Sequence, residues 1–493
     1  MNERKFTPSL DDGSKYLENY QYLPITTKML YDSSTLVNVF LSLKDAHKNA
    51  LLLESVENGD KWGRYSFIAY DPIETIEVRD GKIAHKIDGV VKEIIGVNPL
   101  EYINNLLLVN NSPKIEGCPK LSGGYIGYFS YDTVRYVENK LINVPFDDLK
   151  IPDILLFKCT EIIAFDHLTH ELSVTINIPT IGDYQKNYIN GTKRADKIME
   201  EITRFTYMNR GEKNVVEPIV RSNITKEEYI RNVEIAKERI VEGDIFQVVL
   251  SNRFEVENPP EAFNIYRMLR STNPSPYMYF IQTEDFSIAG ASPEMLVNVE
   301  EGKITTKPIA GTIRRGKDVY EDKLMESKLM NDEKEKAEHI MLVDLGRNDI
   351  GKVSKFGSVQ VPQLMVIEKY SQLFHITSQV EGDLREDMTM IDALKAVLPA
   401  GTLSGAPKVK AMEIIDELEK NKRCLYGGTI GYISFDGVMD TCIAIRTVLI
   451  KDNKAYIQAG AGIVQDSIPE KEYLECETKA KAMIKAIEEA SKL

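Results

Sequence analysis

The feature that most constrains the fold is a ten-residue pattern that occurs twice, about 300 residues apart. "GGYIGYFSYD" (123–132) and "GGTIGYISFD" (427–436) both read Gly-Gly-x-Ile-Gly-Tyr-x-Ser-aromatic-Asp. Two copies fall short of the three units that mark a solenoid. The echo predicts two lobes with related strand chemistry, in a two-lobed, sheet-rich α+β fold.

The rest of the chain agrees with a sheet-rich reading. Residues 50–180 carry short alternating runs such as "RYSFIAY", "LLFKCTEIIAF" and "ELSVTINI", the pattern of strands. A polar stretch, "MNRGEKNVVEP" (208–218), is the best boundary candidate and divides the chain into 1–215 and 216–493. Just beyond it, Thr225 and Glu228 form a capping-box pattern, and Tyr229, Val233, Ala236 and Ile240 share a helical face that Gly243 ends. Strand runs "FSIAGASPEMLVNV", "KITTKPIAG", "GYISFDGVMDTCIAIRTVLI" and "KAYIQAGAGIV" then alternate with helical ones. The helical runs are "VYEDKLMESKLMNDEKEKAEHIMLVDLG", "APKVKAMEIIDELEKN" and "PEKEYLECETKAKAMIKAIEEASKL".

Composition narrows the function. With 61 basic against 75 acidic residues the net charge is −14, which argues against nucleic acid as the main partner. No run approaches the roughly 18 apolar residues of a membrane helix, and "MNERKFTPSLDD" has no apolar signal-peptide core. Five scattered cysteines without a CxxC pair fit a reducing cytoplasm.

Three constellations have chemical potential. Glu335 and Glu338 lie three apart on one helical run, and Glu472 and Glu475 repeat that spacing on the last. Either these are two solvated faces, or the helices face each other across a cleft, where four carboxylates would require a hard cation such as Mg2+. "PAGTLSGAPKVK" places Thr402 and Ser404 between Gly401 and Gly405 before a helix, a capping arrangement that also suits an anion. It lacks the spacing of a nucleotide-binding P-loop. Gly460-Ala461-Gly462, after a strand, lets backbone approach a ligand closely. Among single residues, Glu294 ends an apolar strand, where burial would raise its pKa and suit it to general acid work. Arg446 interrupts a β-branched run and needs an anionic partner, from protein or ligand. His375 is either a hydrogen-bonded core residue or a base.

In this order "GDIFQVVLSNRF", "GASPEML", "PIAGT", "AEHIMLVDLGRND", "PAGTLSGAPK", "YGGTIGY", "AIRT" and "GAGIVQDS" with "EYLE" resemble the chorismate-utilising enzymes. The resemblance spans the chain and is densest over about 225–485. It implies a two-lobed sandwich of antiparallel sheets flanked by helices, with the active site in a cleft. Glu338 and Glu475 then match direct Mg2+ ligands, and Glu335 and Glu472 a second pair acting largely through water. Thr402, Tyr426, Arg446 and the Gly460–Gly462 backbone match groups that hold substrate carboxylates. Glu294 matches the acid that protonates the departing C4 hydroxyl, and His375 a histidine tied to pyruvate elimination. Gln247, Ala310 and Thr312 complete the matching catalytic positions.

The resemblance also implies which substrates are used. Relatives that add water to C2 carry a Lys where this chain has Gln247, and a neutral Gln suits ammonia instead. Members that aminate C4 often carry Lys at the position of Ala310, whose methyl cannot act as a nucleophile. C2 is then left open to ammonia, and loss of pyruvate gives anthranilate. The alternatives are a C4-aminating member of the folate pathway and a non-catalytic metabolite binder on the same fold. No glutaminase signature is present, so ammonia would be free or supplied by a separate glutamine amidotransferase subunit. "LLLES", through Glu54 and Ser55, and "NPSPYMYF", through Pro276, Tyr277 and Met278, resemble the family's tryptophan-feedback element. The same residues also read as a buried strand and a turn.

Overall fold

The structure, a computed structural model, describes residues 4–55, 63–204, 219–369 and 373–493. The boundary candidate 208–218 lies outside the described residues. The chain folds into two antiparallel sheets, one of 13 strands and one of 12. An inter-sheet core lies between them, where Leu51, Phe67, Tyr279 and Ile281 of the larger sheet meet Ile126, Tyr128, Phe157 and Tyr432 of the smaller. The outer face of the larger sheet is covered by helices that include Leu36–Lys44, Tyr184–Arg204, Ala262–Thr272 and Pro469–Ala490. Helices Pro99–Val109, Glu333–Gly351 and Met390–Val397 cover the smaller one. The expected sandwich of antiparallel sheets flanked by helices is the architecture found.

Four layers explain why so many strands read as continuous apolar runs. A strand covered on both faces needs apolar residues at every position. In Ala50–Glu54, Leu51 points into the inter-sheet core while Leu52 points at the helices. Each sheet takes strands from both 1–215 and 216–493, so the two stretches share one core.

The echoed decapeptides have a different explanation from the expected one. Gly124–Phe129 and Thr429–Ser434 are not counterparts in separate lobes but hydrogen-bonded neighbours in the smaller sheet, with Gly127 directly opposite Gly431. A Cβ at Gly127 would fall 2.0 Å from the Leu155 carbonyl oxygen, and one at Gly431 would fall 2.1 Å from that of Asp440. Both glycines are required by the close approach of the next strand, and adjacent strands under one constraint carry one pattern.

Two expected strands are each divided between the sheets. "FSIAGASPEMLVNV" forms Phe286–Ser292 in the larger sheet and Met295–Glu300 in the smaller. "GYISFDGVMDTCIAIRTVLI" forms Thr429–Ser434 and Met439–Ile443 in the smaller sheet, then Thr447–Lys451 in the larger. The long helix expected before residue 350 is also two, Val319–Met330 and Glu333–Gly351. Asp332 caps the second by accepting from the Lys334 and Glu335 amides.

Candidate active site

The two inter-sheet crossings carry two of the candidate residues, Glu294 and Arg446. Glu294 sits on the crossing Ser292–Met295. Its amide donates to Ser292 Oγ at 3.3 Å, and its carbonyl accepts from the Ile443 amide at 2.9 Å. Its buried carboxyl accepts from Thr402 Oγ1 at 3.0 Å. Burial raises the carboxyl pKa to about 7, against the opposing pull of the Thr402 hydroxyl and the charges of Arg446 and Lys479. A carboxyl poised there is half protonated near neutrality, which suits a proton donor. Thr402 is positioned by a single 3-10 turn, Gly401–Leu403.

Arg446 lies on the other crossing, rather than inside a strand as its β-branched neighbours suggested. Its φ is +50°, and its carbonyl accepts from the Ala291 amide at 3.1 Å. The Arg446 charge acts on both Glu294 and His375, so the three side chains share one region.

His375 is held by the neighbouring strand. Ile309–Arg314 pairs with Leu373–Asp383, placing Ala310 opposite Ile376 and Thr312 opposite His375, with a bulge between. At that bulge Gly311 adopts φ +76°. The Thr312 hydroxyl and His375 Nδ1 are 2.9 Å apart. Burial, reinforced by Arg446, lowers the imidazole pKa to about 4 despite its hydrogen bond to the Gly311 backbone and the charge of Glu368. The ring is therefore neutral at physiological pH. Ala310 is buried beside the bulge and brings no reactive group.

The two glutamate pairs come within electrostatic reach of each other, Glu475 acting on both Glu335 and Glu338. Glu335 and Glu338 are on Glu333–Gly351, Glu472 and Glu475 on Pro469–Ala490. Burial raises the pKa of Glu338, and the charges of Glu335 and Glu475 raise it further. Glu335 is raised by burial, then by Asp332 and Glu475, and is opposed by Lys334 and a hydrogen bond from the Thr312 backbone. Glu472 is likewise raised by burial and by Glu475, against a hydrogen bond from Ser467. Glu475 pairs with Lys479 at 2.8 Å, and the same ammonium donates to the Gly460 carbonyl at 2.9 Å. Among the described residues no three acidic, His or Cys side chains converge into a ready coordination set. The site is nonetheless an all-oxygen donor group with mutually repelling charges, partly neutralised by Lys334 and Lys479. That chemistry fits a hard divalent cation.

Gln247 and the two glycines meet across a strand pair. Lys454–Ile463 runs beside Gln247–Glu257, with Gly460 opposite Ser251 and Gly462 opposite Val249. A Cβ at Gly462 would sit 2.6 Å from Gln247 Nε2, and one at Gly460 would sit 2.7 Å from the Tyr426 hydroxyl. The intervening Ala461 is fully buried against the Val233 and Leu250 cluster.

The feedback candidates also adjoin. Glu54 and Met278 are register partners on neighbouring strands, and Met278 is in turn opposite Ala291. The buried Glu54 carboxylate accepts from Tyr266 Oη at 2.5 Å and from Arg270 Nε and Nη2 at 2.9 and 3.1 Å. Ser55 follows with a buried hydroxyl that has no hydrogen-bond partner among the described residues. Tyr277 donates to Asp440 at 3.1 Å, and Pro276 immediately precedes it. Tyr266, Arg270 and Lys479 were missed in the sequence. Only Lys479 left a signal, four residues after Glu475 on a helix.

This geometry defines an acidic, cation-compatible pocket beside a buried proton donor, an arginine and glycine-lined backbone. Over residues 49–485 the chain matches the chorismate binding enzymes, and it belongs to that family. It is 48% identical to anthranilate synthase component 1 of Acetivibrio thermocellus over 99% of this chain and 100% of that protein. The corresponding Aquifex aeolicus protein is 45% identical over 97% of each. The crystal structure of anthranilate synthase component I from Streptococcus pneumoniae superposes with a TM-score of 0.78 at 38% identity, covering 92% of this chain and 99% of that one. The menaquinone-specific isochorismate synthase of Escherichia coli shares the fold, with a TM-score of 0.70 at 16% identity over 98% and 99% of the two chains.

Proposed function

We propose that the chain converts chorismate and ammonia to anthranilate and pyruvate, the first step of tryptophan biosynthesis. It would do so as the large subunit beside a glutamine amidotransferase that supplies the ammonia, with tryptophan as feedback inhibitor. The observation that carries the reading is Glu294, a buried carboxyl with a pKa of about 7, bonded to Thr402 and within the field of Arg446. Full-length likeness to proteins named anthranilate synthase component 1 supports it.

Glu338 and Glu475 would hold Mg2+, with Glu335 and Glu472 behind them. When bound, the ion would supply positive charge that draws electron density from the substrate's C1 carboxylate and ring. The chain's own residues do the rest. Arg446, Tyr426, Thr402 and the Gly460–Gly462 backbone orient the substrate carboxylates. Glu294 protonates the C4 oxygen as it leaves as water. Ammonia bonds to C2, where neither Gln247 nor Ala310 offers a base for water or a competing amine. The neutral His375, held by Thr312, serves the subsequent elimination of pyruvate, which restores aromaticity.

Incubation with chorismate, ammonium and Mg2+ tests this directly. Fluorescent anthranilate is the expected product. A non-aromatic 4-amino product would instead identify a C4-aminating, aminodeoxychorismate synthase activity, and no turnover would identify a metabolite binder.

A further inference from the structure

A second polar group adjoins Glu294 on a cavity that Thr402 lines but the other substrate residues Arg446, Tyr426 and Gly460 do not. The cavity measures about 40 Å³ and is walled by Glu294, Thr402, Thr306, Lys307, Ala400 and Asp349, among others. At roughly 10–15 Å³ per water, it holds about three. Asp349 is buried, and its carboxylate accepts from Lys408 Nζ at 2.6 Å and from Lys352 Nζ at 3.1 Å. Lys408 is partly buried, its side chain 13% exposed, and also donates to the Val397 carbonyl at 3.1 Å. Lys352 is the opposite case, its side chain 53% exposed. Asp349 thus touches both the cavity and a lysine that reaches solvent. Lys307, the remaining charge on the wall, pairs with Glu368 at 2.5 Å.

We propose that this cavity is the proton-supply route to Glu294, with Asp349 the positioning residue that joins its waters to solvent beside Lys352. The inference rests on Glu294 acting as the general acid. In that step the C4–O bond breaks and the Glu294 proton leaves with the oxygen as water. The nitrogen lone pair bonds to C2, the C1=C2 pair moves to C1=C6, and the C5=C6 pair moves to C4=C5. Glu294 becomes a carboxylate, and the new ammonium at C2 returns one proton to solvent. No net proton is consumed, but the buried carboxylate must be reloaded every turnover. The cavity water does this and is itself reloaded past Asp349. Among the described residues, the other groups acting on Glu294 are a donor, Thr402, and two cations, Arg446 and the half-exposed Lys479.

Asp349→Asn in the full chain, assayed with ammonium and Mg2+, tests the route. The expected result is a kcat lowered about tenfold, short of the roughly 10²–10⁴ a general acid supplies. KM for chorismate stays unchanged and the solvent deuterium isotope effect on kcat rises. Ala400→Val, which narrows the cavity without touching the lysine pairs, is expected to reproduce both changes. Wild-type kcat and isotope effect in both variants would overturn the route, as would a lower Tm with an unchanged isotope effect. Glu294→Gln separates the two readings: if it is inactive while Asp349→Asn is normal, the route alone falls. If Glu294→Gln keeps full activity, the general-acid reading falls with it.

Discussion

Thr402→Val isolates the electrostatic tuning of Glu294. The Thr402 hydroxyl donates to Glu294 Oε1 at 3.0 Å and so favours the charged form, partly offsetting the burial that lifts the carboxyl to about 7. Hydrogen bonds to charged groups contribute about 1.5–3 kcal/mol. At about 1.4 kcal/mol per pH unit, deleting this one raises the carboxyl pKa by one to two units. Thr402 is only half-buried, so the lower end applies, and the pKa moves from about 7 to about 8. An acid must be protonated to act, so kcat/KM falls as pH rises through the free-enzyme pKa. The variant should hold its activity about one unit further into the alkaline range. Loss of a substrate contact raises KM as well but does not move the limb. The assay is initial anthranilate fluorescence against pH at subsaturating chorismate. Stability supplies an independent check, because a raised folded-state pKa stabilises the fold below the unfolded value of 4.5, and that contribution is lost as pH rises through about 7. Urea midpoints should decline across that window in the wild type and across a higher one in the variant. A limb that stays in place or moves to lower pH would refute the reasoning.

Three other perturbations test separate parts of the site. Glu338→Gln removes a charge from the acidic pocket and should abolish Mg2+-dependent turnover. Calorimetric titration should lose the Mg2+ binding heat, and retained binding would remove Glu338 from the metal site. Gly462→Ala places a methyl 2.6 Å from Gln247 Nε2. The amide must swing aside, so kcat/KM for ammonia should fall about tenfold or more with little change in Tm. Ser55→Phe should leave turnover intact and relieve tryptophan inhibition, read as the half-inhibitory concentration.

Local signals were the legible part of this chain. The Thr225–Glu228 capping box forms as read, with Tyr229, Val233 and Ala236 buried behind it, because capping is decided by residues within one turn. The paired glutamates were visible as spacing, but whether their helices met was a tertiary question. The crossings at Ser292–Met295 and Ile443–Thr447 were not legible. In a sandwich covered on both sides, the apolar run continues while the chain changes sheets, so periodicity records no break. Arg446 therefore read as an intrusion in a strand, although it occupies a link between two. The echo misled for the opposite reason. Similarity in sequence reported a shared packing constraint, glycine against a neighbouring backbone, and that constraint holds for adjacent strands as well as for equivalent ones.

The row of strands running from Glu54 has a mechanical consequence. Glu54 is opposite Met278, Met278 is opposite Ala291, and the Ala291 amide is bonded to the carbonyl of Arg446. At about 4.8 Å per strand, the feedback candidate and the proposed substrate arginine are three rungs apart on a single hydrogen-bonded ladder. The strand holding Ala291 also runs straight into Glu294. A ladder of this kind is stiff along its rungs, so a ligand that pushes Glu54 aside acts as a hand on a short crowbar. The proposed acid and arginine sit at its far end, where a shift of the near end would displace them.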